Sequence, residues 1–345
     1  MSCDNHETQE NWIKFRDEFD KLGSGIAAGK HKNDADIAML KGLFTEEEAK
    51  FFIATDVDFE SASVISVRLG RDPQYVADKL YEMSRKGQLF RQTIDGIRKY
   101  RRLPFMHGVA ELSIDRFKET PALMYSLRDF GVAGMTATNA VKDPLHRIVP
   151  INASTVADDG LLDVDNFSKI LDTKTRFAVD DCICATLFTP TPCNYPSFQK
   201  RCLSFDNFAD YRVENGIGEY ITREEVDRMV EQCEKEGTLL CPANSGNVEV
   251  ACLCCSCFCG LIAADKHFPG PANENLNNYV NQHDFDACKN KCSNLLFYCF
   301  VFHSCVCMKM RRDFLGFLPS LSPRPAAVPA VRVQGSYLLR LSLLL

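Results

Sequence analysis

The chain has 345 residues, a net charge of −6, 46% apolar residues and 25% charged residues. That length serves about two domains, each able to bury a core, and the balance argues against a membrane protein or a nucleic-acid scaffold at the level of the whole chain. Cysteine is the outlier: of seventeen, only Cys3 precedes residue 182. The start, MSCDNHETQENWIKF, is acidic and polar where a secretory signal needs a basic start and an apolar run. A reducing intracellular compartment, the cytoplasm, is therefore expected, and close-set thiols there hold metal or carry redox chemistry in preference to a disulfide framework.

Residues 1–33, with GSG at 23–25 and the lone Trp12 in a short amphipathic stretch, read as a flexible or helical leader. Thr45 and Glu48 form a capping box that opens a helix carrying Phe51, Phe52 and Ile53. Ser61 to Leu69 is a second helix stopped by Gly70, and Asp72 with Pro73 opens a third whose Val76, Leu80 and Met83 repeat at helical spacing. After Gly87 the pattern changes to strand formers around Asp95-Gly96, the dipeptide of a two-residue hairpin. Three short helices followed by a hairpin is the order of a winged helix, placed at 34–106. Arg98, Lys99, Arg101 and Arg102 on its wing, with Arg85, Lys86 and Arg91 nearby, stand where such a fold meets DNA phosphates. The same charges also serve as a solvated face on a module for protein contacts.

A connecting helix over Leu112 to Phe130 and the small, turn-rich GVAGMTATNAVKDP fill 107–144, with a boundary near 140. Beyond it, Arg147 to Ile151 reads as a strand, Val164 to Leu171 as a short helix, and Phe177-Ala178-Val179 as a strand entering the first cysteines. Thr222 and Glu225 form a second capping box, and its helix closes at Gly237. Cys233 lies on the apolar face of that helix with Val226, Met229 and Val230, which makes it a core thiol.

Two cysteine sets remain. The first is Cys182, Cys184, Cys193 and Cys202, and the second, CLCCSCFCG, is Cys252, Cys254, Cys255, Cys257 and Cys259. Each supplies the four thiolates that a 4Fe-4S cluster takes, so one or two clusters are expected. Zinc is the alternative, although its usual paired C-x(2 to 4)-C knuckles suit these C-x-C steps less well. The neighbours Cys254 and Cys255 do not readily turn both sulfurs to one iron, so either is expected to be more dispensable than Cys257.

The segment from about 34 to 265 resembles the winged-helix, cysteine-rich 4Fe-4S ferredoxin-type proteins of anaerobes. The resemblance is carried by LGRDPQYVADKLYEMSRKGQLF, LPFMHGV, the C-x-C at 182–184, CNYPSFQKRCLSF, NGIGEYITREE and CLCCSCFCG. Ala185, Pro192 and Phe258 depart from the family pattern, which has arginine, glycine and cysteine there. The resemblance implies that the nine cysteines of the two sets hold clusters within an iron–sulfur domain at 145–265.

The family's ferredoxin module would follow, but after Cys288 the expected position holds Lys291 and Cys292 comes one residue late. Residues 266–345 thus read as a degenerate remnant and an irregular tail. No membrane partner is expected unless the apolar run 295–308 is an anchor, and it is shorter than the about 20 residues a spanning helix needs. The sequence expectation is an α+β chain that carries electrons to a redox partner protein. With no nucleotide loop, metalloprotease helix or nucleophile motif, an electron carrier or accessory subunit is favoured over a self-contained enzyme. Two readings compete with it: a redox- or iron-sensing regulator that binds DNA, and a zinc-organised interaction protein.

Overall fold

In the computed structural model, residues 3–22, 34–127, 146–149, 166–188, 200–255, 257–260, 262, 280–283 and 308–311 are described. Helix and sheet are mixed, as expected for an α+β chain. The chain divides into two units: Met1–Thr138 with Asp180–Thr189 and Asn207–Glu219, and Asn139–Val179 with Pro190–Asp206 and Tyr220–Leu345. The two returns to the first unit have no counterpart in the sequence reading.

The first unit begins with α1 (Cys3–Asp20) and α2 (Ala35–Leu43). Trp12, Phe15 and Phe19 of α1 are buried against Phe44 and Phe52, with Phe19 stacked on Phe52 at 4.4 Å between ring centroids. Of the two alternatives expected for 1–33, residues 3–20 take the helical one, and three large rings on one stripe tie that helix to the core. Then follow α3 (Glu46–Ala54), β1 (Glu60–Ser61), α4 (Ala62–Leu69), α5 (Pro73–Arg85) and the hairpin of β2 (Phe90–Ile94) and β3 (Ile97–Arg101). The Thr45 capping box is present in both directions: Thr45 N–H donates to Glu48 Oε2 at 2.8 Å and Glu48 N–H to Thr45 Oγ1 at 3.2 Å. Gly70 closes α4 at φ 62°. Asp95 and Gly96 both take positive φ, 54° and 74°, as the two-residue turn requires. β3 is the middle strand of a three-stranded sheet, between β1 and β2.

Where one connecting helix was expected, the chain instead makes a π turn (Phe105–Val109), α6 (Ala110–Leu112), α7 (Ile114–Glu119) and α8 (121–127). His107 takes φ 59° inside the turn, and Glu111 reaches back to accept the Gly108 N–H at 2.9 Å. Phe105, Val109, Ile114, Phe117 and Leu123 bury on the first unit's core, which accounts for the extension of that unit beyond the hairpin. The hinge at 131–144 lies outside the described residues.

The remaining elements are α9 (Phe167–Asp172), β4 (Phe177–Asp181), α10 (Ile183–Phe188), β5 (Lys200–Phe205), α11 (Asn207–Asn215), β6 (Gly218–Ile221), α12 (Arg223–Glu236), β7 (Leu239–Pro242) and β8 (Val250–Cys254). Five strands form one sheet in the order β6-β4-β5-β8-β7. The second capping box opens α12 as expected, and Gly237 closes it at φ 69°. Residues 146–149 run antiparallel to β7, with Val149 N–H donating to Leu240 O at 3.0 Å. β9 (Val280–His283) and β10 (Met308–Arg311) pair antiparallel, in a stretch expected to be irregular. The rest of 266–345, including Cys288, Cys292 and most of the apolar run 295–308, lies outside the described residues. Among the described residues no helix is long and apolar enough to cross a membrane.

Candidate metal centre

Strand alternation gives the second unit's sheet two unlike faces. On one, Leu203, Leu240, Ala251 and Leu253 pack with Val226 and Cys233 of α12 and with Phe167 and Leu171 of α9. The intervening residues point the other way, and Cys202, Cys241, Cys252 and Cys254 are among them. In the β5–β8 pair Cys202 is opposite Cys252, and in the β7–β8 pair Cys241 is opposite the same Cys252, with Leu239 opposite Cys254. Three adjacent strands thus bring Cys202, Cys252 and Cys241 abreast, with Cys254 two positions along on the same face.

The thiols of Cys241, Cys252 and Cys259 are each hydrogen-bonded to Cys254, which makes Cys254 the hub of a buried group. Its own thiol is pushed up to about 12, first by its hydrogen bond to Cys241 and then by burial and the neighbouring sulfur. At Cys241 the bond from Cys254 lowers the thiol, but burial and the nearby thiols outweigh it and leave a net upward shift. Both shifts keep the Cys254 and Cys241 thiols protonated at neutral pH. Ile148, Leu239 and Ile262 pack around the group.

One imidazole joins it. His146 is buried, its Nδ1 is 2.9 Å from Cys241 O and its Nε2 is 3.9 Å from Cys252 Sγ. A carbonyl only accepts, so Nδ1 carries the proton and the Nε2 lone pair faces the sulfur. Among the described residues, no group of three or more histidine, cysteine, aspartate and glutamate side chains is gathered as a ready-made metal site, and no disulfide forms. The thiols bond one another instead.

Eight of the nine expected ligands lie among the described residues. Cys252, Cys254 and Cys259 belong to the thiol group, and Cys202 adjoins it by register. Cys255 is buried just past β8, its carbonyl accepting the Cys259 N–H at 3.2 Å, and Cys257 is half-buried in the turn that follows. Cys182 and Cys184 fall in the first unit, where Cys184 sits on α10 and packs on the core. Cys202 falls in the second, so the first cysteine set is divided between units. Cys193 lies outside the described residues. Cys241 and His146 escaped the sequence reading. Cys241 sits in no dense motif, and only the pairing register shows that it faces Cys252. Cys233 is fully buried on α12, with its thiol pushed up to about 11 by burial, as suits a core residue.

The basic wing is largely engaged within the chain. Arg98 lies over the Tyr81 ring at 4.5 Å, and Arg101 over Phe59 at 5.0 Å and Phe90 at 5.2 Å. Arg102 is half-buried, its backbone N–H bonded to Asp56 O at 2.9 Å, while Lys99 is opposite Ser61 of β1. Lys86 pairs with Glu48 at 2.7 Å, Arg91 with Glu214 at 2.9 Å, and Arg85 with Asn215 at 3.1 Å.

No protein-family model, curated protein or solved structure matches the chain.

Proposed function

We propose that this protein is an iron–sulfur electron-transfer protein of the ferredoxin type, whose first unit is a winged helix used to dock a redox partner. The observation that carries the reading is the group of thiols formed by Cys241, Cys252 and Cys254 on one sheet face and Cys259 just beyond β8, all buried except the half-buried Cys252. The donor type suits the cofactor: soft thiolates, four in number, with aliphatic side chains packed against them. Those four would hold a 4Fe-4S cluster, and a bound cluster supplies one-electron chemistry. The chain's own contribution is to limit water through Ile148, Leu239 and Ile262 and to hold the sulfurs of Cys241, Cys252 and Cys254 on the sheet, which limits reorganisation when charge changes. Cys182, Cys184, Cys193, Cys202, Cys255 and Cys257 remain proposed ligands of a second site or substitutes at the first.

Protein docking is favoured over DNA binding by the first unit's surface. α5 presents Asp78 and Glu82, α4 exposes Val64 and Val67, the latter 84% exposed, and the hairpin exposes Ile97. Apolar and acidic groups there suit a protein face better than a phosphate backbone.

Anaerobic purification with iron, sulfide and zinc analysis tests the reading. Iron and sulfide in equal amounts, with broad visible absorption that bleaches on dithionite, is the expected outcome. Stoichiometric zinc in a colourless protein would overturn it in favour of the zinc-organised reading.

A further inference from the structure

We propose that His146 is a metal ligand, its Nε2 taking one of four positions beside Cys252 and two of Cys241, Cys254 and Cys259 in a mixed imidazole–thiolate centre. This rests on the reading that the cysteine face of the sheet takes a metal.

Three observations lead to it. First, residues 146–149 extend the sheet beyond β7 in register, His146 bridging to Ala243 and Val149 to Leu240. That register sets Ile148 opposite Cys241, and His146, two residues away, shares its face. Second, the Nδ1–H donates to the Cys241 carbonyl at 2.9 Å, which fixes both the tautomer and the ring plane. Metal-bound histidines are held this way, with the nitrogen away from the metal tied to a carbonyl or carboxylate so that the other keeps its lone pair. Third, that lone pair faces Cys252 Sγ at 3.9 Å. Nitrogen and sulfur ligands at about 2.0 and 2.3 Å from one tetrahedral ion are about 3.5 Å apart. The observed separation exceeds that by a few tenths of an ångström, within reach of a small side-chain rotation.

The chemistry favours a borderline or soft cation, because imidazole and thiolate are both ligands for zinc and for iron. Replacing one thiolate by a neutral imidazole removes a negative charge from the centre. In an iron–sulfur centre that raises the reduction potential, as histidine ligation does where it occurs. Cys241 matters twice, through its sulfur and through the carbonyl that aims His146.

The test compares wild type with His146→Asn, whose amide still donates to Cys241 O but offers no ring nitrogen. His146→Ala is the second variant, with imidazole added to the buffer. Full-length protein is reconstituted anaerobically with iron and sulfide, or loaded with zinc alone. Expected are a histidine nitrogen coupling in the pulsed electron paramagnetic resonance of the reduced wild type, abolished by labelling-controlled substitution in His146→Asn, and a zinc affinity lowered at least about tenfold. Added imidazole restores metal binding to His146→Ala. Unchanged zinc affinity with no nitrogen coupling overturns the ligand assignment while leaving the iron–sulfur reading intact. Zinc binding that depends on His146, with no uptake of iron and sulfide, overturns the iron–sulfur reading and leaves the assignment standing. Wild-type protein that binds neither metal overturns both.

Discussion

Cys202 stands directly opposite Cys252 across the antiparallel β5–β8 pair, fifty residues apart in the chain. The Phe205 N–H donates to Glu249 O at 2.9 Å, three positions on from Cys202, so the Cys202–Cys252 pair is a non-hydrogen-bonded one, the kind that brings side chains closest. On its other side Cys252 meets Cys241. Cys252 therefore neighbours a cysteine on both flanking strands.

The hub of the thiol group defines the most damaging single substitution. Cys254→Ser should lower iron per chain more than Cys257→Ser, because Cys254 contacts the sulfurs of Cys241, Cys252 and Cys259 while Cys257 lies in the half-buried turn. This reverses the order expected from the dense motif alone, where Cys257 was the less dispensable. Metal analysis of the two variants decides it, and equal loss would remove Cys254 from its central place.

Two cysteines near α12 should behave oppositely. Cys233→Ala keeps the metal and costs about 1–2 kcal/mol by leaving a small cavity in the apolar core. Cys241→Ala removes metal. Denaturant titration read beside metal content checks the pair, and metal loss in Cys233→Ala would contradict its place in the core.

The first unit should lose stability in acid in two stages. His107 is held down to about 4, from 6.5, first by burial and then by the positive charge of Arg212. With its folded value depressed, its contribution is complete above about pH 6.5 and is lost as pH falls towards 4. Burial raises Glu48, but hydrogen bonds from Lys86, the Thr45 N–H and Gln88 outweigh it and lower the carboxyl to about 2, from 4.5. That shift is worth about 3 kcal/mol at neutral pH and is lost between pH 4.5 and 2. His107→Asn, compatible with its φ of 59°, should flatten the upper stage only. Hydrogen exchange of α5 amides against pH reads both stages; an unaltered upper stage in the variant would assign it elsewhere.

Two glycines with positive φ should differ sharply on replacement by alanine. At Gly87 (φ 80°) an added Cβ would collide with the backbone of Leu112, so the backbone must move, at a cost of about 3 kcal/mol or more. At Gly96 (φ 74°) the space is open and only the left-handed conformation is penalised, by about 1 kcal/mol. Thermal unfolding distinguishes them, and equal losses would contradict the approach of residue 112 to residue 87.

Replacing Arg98, Lys99, Arg101 and Arg102 together by Gln should cost about 1–2 kcal/mol through lost stacking on Tyr81, Phe59 and Phe90. No DNA affinity should be lost, since the wild type is expected to show none at low salt. Salt-sensitive duplex binding by the wild type that this variant abolishes would favour the regulator instead.

Local chemistry was legible without any fold. The capping boxes at Thr45 and Thr222, the Gly70 and Gly237 stops and the Asp95-Gly96 turn depend on residues within a few positions of one another, so their side chains and backbone declare the geometry directly. The core role of Cys233 was legible for the same reason, from helical periodicity. Long-range register was not. Whether Cys241 meets Cys252, whether His146 aims Nε2 at a sulfur, and whether α1 packs its rings on Phe52 all depend on pairing and burial between distant segments. A shift of one residue in β7 would turn Cys241 to the opposite face, and nothing local to TLLCP records which register wins. That choice is made by the apolar face, where Leu203, Leu240, Ala251 and Leu253 must all meet α12 and α9 at once, and the cysteines take the side that is left.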